Sequence, residues 1–265
     1  CSGIGGFHRG LSGFECKLAC DINKSCRESY EKNYKIKCDE DVFDLSIQEL
    51  PKYDILCAGF PCQPFSRCGK QKGFKDERGS MFFQVMRFVK ENSPKIIVLE
   101  NVQALLTHDQ GKSFMKIKEE LELENYTVIH KILKCSDYGI PQMRKRLFII
   151  ALKNTNSNTI SNFFNLDEYK KNTLLKDYLG KNFEKDTAYT IRCGGKNSPI
   201  NDRHNWDGYF IDGSEYRLSI DDAMKLQGFD EYELSGKMSE KWKLLGNTIP
   251  TIFTEIIGKQ IIKLF

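Results

Sequence analysis

Apolar residues change their spacing several times along this chain, and each change marks an element. Runs at 53–58, 95–99, 126–133 and 146–152 are rich in β-branched, aliphatic and aromatic residues and are bounded by turn formers, which predicts strands. Between them, 80–91 and 113–124 carry apolar residues at helical intervals, with Phe82, Val85, Met86 and Val89 on one face. A further helix is predicted over 24–33. Strands alternating with helices of this length predict an α/β fold built on a doubly wound sheet.

The texture changes after Leu152. Residues 154–165 are rich in Asn, Ser and Thr and read as a linker or irregular stretch. Over 187–216, Gly194, Gly195, Pro199, Gly208 and Gly213 separate short β-prone pieces, which predicts a small loop-rich domain. Helix returns at 219–228, with Ser219 as N-cap and Gly228 as stop, and at 251–264.

Composition narrows the classes. The 265 residues fit one large domain, or one with a smaller appendage. At 40% apolar and 29% charged the chain is ordinary globular sequence, which excludes disorder. The longest apolar run, 147–152, is six residues, far short of a bilayer span, and nothing behind Cys1 resembles a secretory signal. Membrane and export roles are therefore not expected. Ten cysteines without a Cys-x-x-Cys pair, and four histidines without a His-x-x-x-His pair, predict reduced thiols and no metal site.

A net charge of +4 permits a nucleic-acid partner without demanding one. The charge is clustered, however. Residues 62–78 hold five basic side chains against Asp76 and Glu77, and 131–146 hold five against Asp137. Either cluster alone reads as solvated surface.

Four short segments carry candidate chemistry. Gly3-Ile4-Gly5-Gly6 is a turn that lets backbone approach a nucleotide-like cofactor, and Asp21 stands near the distance at which an acid would meet ribose hydroxyls. Gly59-Phe60-Pro61-Cys62-Gln63-Pro64-Phe65-Ser66 follows a strand, so Cys62 is predicted at a carboxyl end of the sheet, in a loop stiffened by two prolines. Glu100 ends an apolar strand, where a carboxylate is costly without a partner. Gln142, Arg144 and Arg146 alternate into the next strand, which would aim two guanidiniums at one place.

Together these segments resemble the DNA cytosine-5 methyltransferase family, of the bacterial restriction–modification type, over nearly the whole chain and in that family's order. Leu226-Gln227-Gly228-Phe229 and Gly246-Asn247-Thr248-Ile249-Pro250 extend the likeness. It implies a Rossmann-like methyltransferase sheet with S-adenosylmethionine as cofactor. The cofactor would meet Gly3, Ile4, Gly5 and Gly6, then Asp21 and Ile22, with Asp41 and Val42 at the adenine. Pro61, Asn247 and Thr248 would complete that site. The implied catalytic set is Cys62, Glu100, Arg144 and Arg146, with Cys62 adding to carbon 6 of a flipped-out cytosine. Glu100 would bond the exocyclic amine and ring nitrogen, Arg146 the base's carbonyl oxygen, and Arg144 the thiol loop or a phosphate.

The segment 63–79 has the glycines and charges of a lid, with Gln63, Ser66, Arg67, Cys68, Lys70 and Lys72 toward DNA. Arg192, Asn197, Arg203 and His204 lie where base edges would be read, although 187–217 reads equally well as a structural β-loop. The implied division is a catalytic domain at 1–152, a target-recognition domain at 153–240 and a return segment at 241–265. Double-stranded DNA is the implied partner, a restriction endonuclease the genetic one, and the cytoplasm the setting. Three departures stand out. Cys1 replaces an aromatic residue, Asp221 to Lys225 replace the family's Arg-Glu-Cys-Ala-Arg, and the recognition span is short. That short span also suits an RNA (tRNA) cytosine-5 methyltransferase, and a non-catalytic or partial subunit of a split enzyme is the other alternative.

Overall fold

The computed structural model describes residues 2–61, 81–155, 160 and 162–264. In chain order its elements are α1 (Gly6–Gly10), β1 (Ala19–Cys20), α2 (Lys24–Tyr34), β2 (Cys38–Asp39), β3 (Ile55–Gly59), α3 (Met81–Asn92), β4 (Ile96–Asn101), α4 (Lys112–Leu123), β5 (Tyr126–Lys134), β6 (Lys145–Lys153), α5 (Leu175–Leu179), β7 (Gly208–Ile211), β8 (Ser214–Arg217), α6 (Ile220–Gln227), α7 (Met238–Asn247) and α8 (Thr251–Ile262). Interleaved segments form two compact units: 41–133 with 145–165, and 2–40 with 134–144 and 166–265.

The first unit holds a four-stranded sheet in the order β3-β4-β6-β5. β3 and β4 are parallel, with Gly59 beside Glu100, whereas β4 and β6 are antiparallel, with Ile96 beside Leu152. The fold is therefore α/β with a mixed sheet. Ile97, Val98 and Leu99 on β4 and Leu147 to Ala151 on β6 are essentially inaccessible, because both strands are interior and covered on both faces. The alternate residues Ile97, Leu99, Leu147, Ile149 and Ala151 pack with Phe82, Val85, Met86 and Val89 of α3 and with Ile117 and Leu121 of α4. Each large side chain buried there contributes about 1.5–3 kcal/mol, which is what holds the ends of β3 and β4 in place.

The second unit contains the parallel pair β1–β2, with Ala19 beside Cys38, and the hairpin β7–β8. The hairpin turns on Asp212 and Gly213, both at positive φ, the backbone that a two-residue connection requires. Ser219 caps α6 in a capping box with Asp222, and Gly228 ends it at φ +77. α1 lies against α8 almost backbone to backbone: a Cβ on Gly10 would stand 2.0 Å from Thr254 Oγ1. Among the described residues, no helix is long and apolar enough to cross a membrane.

Candidate active site

In the first unit the site grows from the carboxyl ends of β3 and β4. Phe60 is buried just beyond β3, and its carbonyl accepts a 2.7 Å bond from Asn101 Nδ2. Asn101 Oδ1 in turn accepts the N–H of Val102 at 2.9 Å, so one buried amide ties the exit of β3 to the exit of β4. Pro61 follows, exposed. Cys62, Gln63, Ser66, Arg67, Cys68, Lys70 and Lys72 lie outside the described residues.

Glu100 pairs with Arg146 Nε at 2.7 Å, the two side chains 12% and 14% exposed. The register explains this meeting. Glu100 stands opposite Phe148 on β6, and Arg146, two residues on, shares that face as its diagonal neighbour. The partner that a carboxylate at this position requires is therefore Arg146, whose Nη1 also donates to the Lys145 carbonyl at 2.8 Å. Asp41 and Val42 are half-buried in the same unit. Asp41 Oδ1 accepts the N–H of Phe43 at 3.0 Å, and Arg87 Nη2 donates to the carbonyls of Val42 and Leu45 at 3.0 and 3.1 Å.

In the second unit, Asp21 organises the glycine turn. Its Oδ2 accepts the N–H of Gly3 at 2.8 Å and its Oδ1 that of Asn23 at 3.0 Å. Gly3 and Gly5 take φ of +55 and +87, conformations that favour glycine. Tyr34 closes the turn from below: its hydroxyl donates to the Gly5 carbonyl at 3.1 Å, and a Cβ on Gly5 would stand 2.3 Å from its ring. His8 stacks on Tyr34 with centroids 4.0 Å apart and shares a 2.5 Å hydrogen bond with the Tyr30 hydroxyl. Burial holds the His8 imidazole below its ordinary value.

The same unit brings the return segment to this turn. A Cβ on Gly6 would lie 2.7 Å from the Ile249 carbonyl, so only glycine admits that approach. Ile4 is buried, Asn247 is exposed and Thr248 is buried. Ile22, next to Asp21, is 70% exposed despite its apolar side chain.

Gln142 and Arg144 also belong to the second unit, both fully buried. Gln142 Nε2 donates to the Leu226 carbonyl at 2.7 Å, and its Oε1 accepts the N–H of Ile191 at 3.2 Å. Arg144 Nη1 donates to the Ile191 carbonyl at 2.9 Å, and Nη2 to those of Gly246 and Thr248 at 2.9 and 2.6 Å. The expected single target for two guanidiniums is thus replaced by two sets of partners. β6 begins at Lys145, so strand alternation does not run back from Arg146 to Arg144.

Arg192, Asn197, Arg203 and His204 are all exposed on the stretch before β7. Asn197 adopts φ +68. Trp206 and Asp207, which follow them, are buried, a role that sequence reasoning passed over; the signal available was a Trp-Asp pair interrupting a polar, glycine-rich stretch. Among the described residues, no cluster of His, Cys, Asp and Glu could hold a metal ion.

Comparison with known proteins places this geometry. The profile of the family described as C-5 cytosine-specific DNA methylase matches residues 1–209. The chain belongs to that family. Its members are DNA methyltransferases, and the chain is an enzyme of that kind. The chain is similar to the Type II methyltransferase M.HhaI of Haemophilus parahaemolyticus, 31% identical over 94% of this chain and 88% of that one. It is also similar to M.HaeII of Haemophilus aegyptius, 33% identical over 98% and 91%. Among solved structures, the fold matches the S. pombe Dnmt2 methyltransferase with a TM-score of 0.76 at 20% identity, covering 99% of this chain and 97% of that one.

Proposed function

We propose that the chain transfers a methyl group from S-adenosylmethionine to carbon 5 of a flipped-out cytosine in a specific double-stranded DNA sequence, through a covalent Cys62 adduct. The observation that carries the reading is the Glu100–Arg146 pair at the end of β4, whose neighbour β3 leads directly into Pro61-Cys62.

The residues present suit the cofactor. Among the described residues, apart from its chain neighbours, nothing stands within 4 Å of the Cβ position of Gly3, and Ile22 offers an exposed apolar side chain beside Asp21. A glycine backbone edge flanked by exposed aliphatic surface fits part of an adenosine-sized group, with Asn247 and Thr248 of the same unit as further contacts. S-adenosylmethionine, when bound, supplies an electrophilic methyl group.

The chain's own residues supply the rest. The Cys62 thiolate adds at carbon 6 of the cytosine, and the electrons of the 5,6 double bond shift to leave carbon 5 nucleophilic. Glu100 bonds the exocyclic amine and, when protonated, gives its proton to the ring nitrogen as that charge develops. Arg146 holds the ring carbonyl oxygen. After methylation the carbon 5 proton leaves to a base, the thiolate is eliminated and the ring regains its double bond. Arg144 acts as a positioning residue, fixing the Gly246 and Thr248 backbone. Gln63, Ser66, Arg67, Cys68, Lys70 and Lys72 meet DNA from the segment after Cys62. Residues 153–240 choose the sequence, with Arg192, Asn197, Arg203 and His204 toward base edges. The relatives' Type II names support a cognate restriction endonuclease as genetic partner, in the cytoplasm.

The test is incubation with duplex DNA and S-adenosylmethionine followed by bisulfite sequencing. The expected result is 5-methylcytosine confined to one sequence context. Transfer to tRNA but not to duplex DNA would move the reading to RNA, and absence of transfer to either would reject it.

A further inference from the structure

Between Ile191 and β7 the chain runs through a polar stretch whose exposed side chains include Asn197. A stretch of that composition would be expected to wander. Here it is fastened twice by adjacent residues lying beneath it. Trp206, 1% exposed, donates from Nε1 to the Gly194 carbonyl at 3.0 Å. Asp207, fully buried, accepts the N–H of Asn197 on both carboxylate oxygens, at 3.1 and 3.3 Å.

The fastening is itself braced. Arg217 Nη1 lies 3.2 Å from Asp207 Oδ1, giving the buried carboxylate its counter-charge. Arg217 stands opposite Gly208 in the β7–β8 ladder, and a Cβ on Gly208 would come within 2.8 Å of that guanidinium nitrogen. Glycine at 208 is thus what lets the guanidinium cross to Asp207. Asn197 meanwhile sits at φ +68, a left-handed backbone that asparagine adopts more readily than most residues, and its side chain is exposed. A left-handed turn held by buried hydrogen bonds presents its exposed side chain from a fixed backbone.

We infer that Trp206 and Asp207 are positioning residues for target selection: they fix the 194–197 backbone so that the Asn197 amide meets a base edge in one orientation. A side-chain amide carried on such a fixed backbone can donate and accept at once, the pairing that reads adenine in the major groove. The inference rests on the proposed assignment of this region to DNA recognition and deepens it.

The experiment compares Asp207→Asn, Trp206→Phe and Asn197→Gly with the parent chain. Beside them stands a chimera carrying residues 187–217 of a relative with a different target, after bisulfite mapping of the parent target. Asp207→Asn removes the carboxylate, Trp206→Phe removes only the indole N–H, and Asn197→Gly keeps the positive φ while deleting the reading amide. The readout is kcat/KM on the mapped target over kcat/KM on single-base variants of it, with S-adenosylmethionine Kd as the control for folding. All three substitutions are expected to lower that ratio at one base pair by about tenfold or more, the usual worth of one base-pair readout, with cofactor Kd unchanged. An unchanged ratio in Trp206→Phe and Asn197→Gly overturns the inference, even if Asp207→Asn fails to fold. A chimera that stays active on the original target overturns the recognition assignment beneath it, a different result from the first.

Discussion

Arg146 reaches Glu100 diagonally across the β4–β6 ladder, its Nε 2.7 Å from a carboxylate oxygen. Both side chains are nearly covered, so each is the other's principal compensation for leaving water. Arg146→Ala should therefore lower stability by about 2–3 kcal/mol, read as a fall in Tm. Glu100→Gln keeps an acceptor for Nε but removes the counter-charge, so it should also lower Tm, and it should slow the single-turnover methylation rate about 100-fold or more by removing proton donation. An unchanged rate in Glu100→Gln would make the pair purely structural.

Arg144 should act on stability rather than on the chemical step. Three main-chain carbonyls accept from its planar fork, and a lysine ammonium cannot reproduce that geometry. Arg144→Lys is expected to cost about 3 kcal/mol of stability, two lost charge-assisted hydrogen bonds, by chemical denaturation. A variant of normal stability with a depressed chemical rate would instead put Arg144 at the reacting atoms.

Much of this was legible in the sequence because it depends on local pattern. The strands β3 to β6 and the helices α3 and α4 follow from apolar spacing, and Ser219 and Gly228 bound α6 as their residue types predict. β1 and β2, two residues each, are too short for any period to register. α7 hides because lysines alternate with Trp242, Leu244 and Leu245 and no side chain of the usual capping type precedes it. The site divides likewise. Glu100 announces itself as a charge ending an apolar strand, but its partner depends on a long-range register. The buried roles of Gln142, Arg144, Trp206 and Asp207 need contacts up to 104 residues apart, which no local pattern records.

Ile22 yields a prediction in which stability and affinity part company. At 70% exposure it contributes little to folding, so Ile22→Ala should leave Tm within about 0.5 kcal/mol equivalent of the parent. If the cofactor covers it, the same change removes buried apolar surface worth about 1–2 kcal/mol, near a tenfold loss of S-adenosylmethionine affinity. Calorimetric titration would show this, and an unchanged Kd would remove Ile22 from the cofactor site.

Asp222 predicts a pH dependence. Burial alone would raise its carboxyl, but hydrogen bonds from Lys181, Tyr216 and Ser219 outweigh that and hold it below the ordinary 3.8. A carboxyl lowered on folding adds stability above its unfolded value and loses it as pH falls through the folded one. Asp222→Asn should cost about 1–2 kcal/mol, moderated because Lys181 is 36% exposed. The Tm gap between variant and parent should stay constant from about pH 8 to 5 and narrow below about pH 4. A gap that widened in acid would contradict the sign.

The covalent scheme as a whole is tested by DNA carrying 5-fluorocytosine at the mapped target. Thiolate addition at carbon 6 and methyl transfer to carbon 5 both remain possible on that ring. Elimination does not, because it requires the carbon 5 substituent to leave as a cation and fluorine cannot. The Cys62 adduct therefore has no exit, and a protein–DNA species stable to denaturing electrophoresis should accumulate only when S-adenosylmethionine is present. Cys62→Ser should abolish it, since a serine hydroxyl stays protonated and adds poorly, while cofactor binding persists. An adduct that survives Cys62→Ser would move the attack to another residue. A preparation that methylates ordinary DNA yet gives no adduct with the fluorinated target would mean that carbon 5 is methylated without a covalent enzyme intermediate.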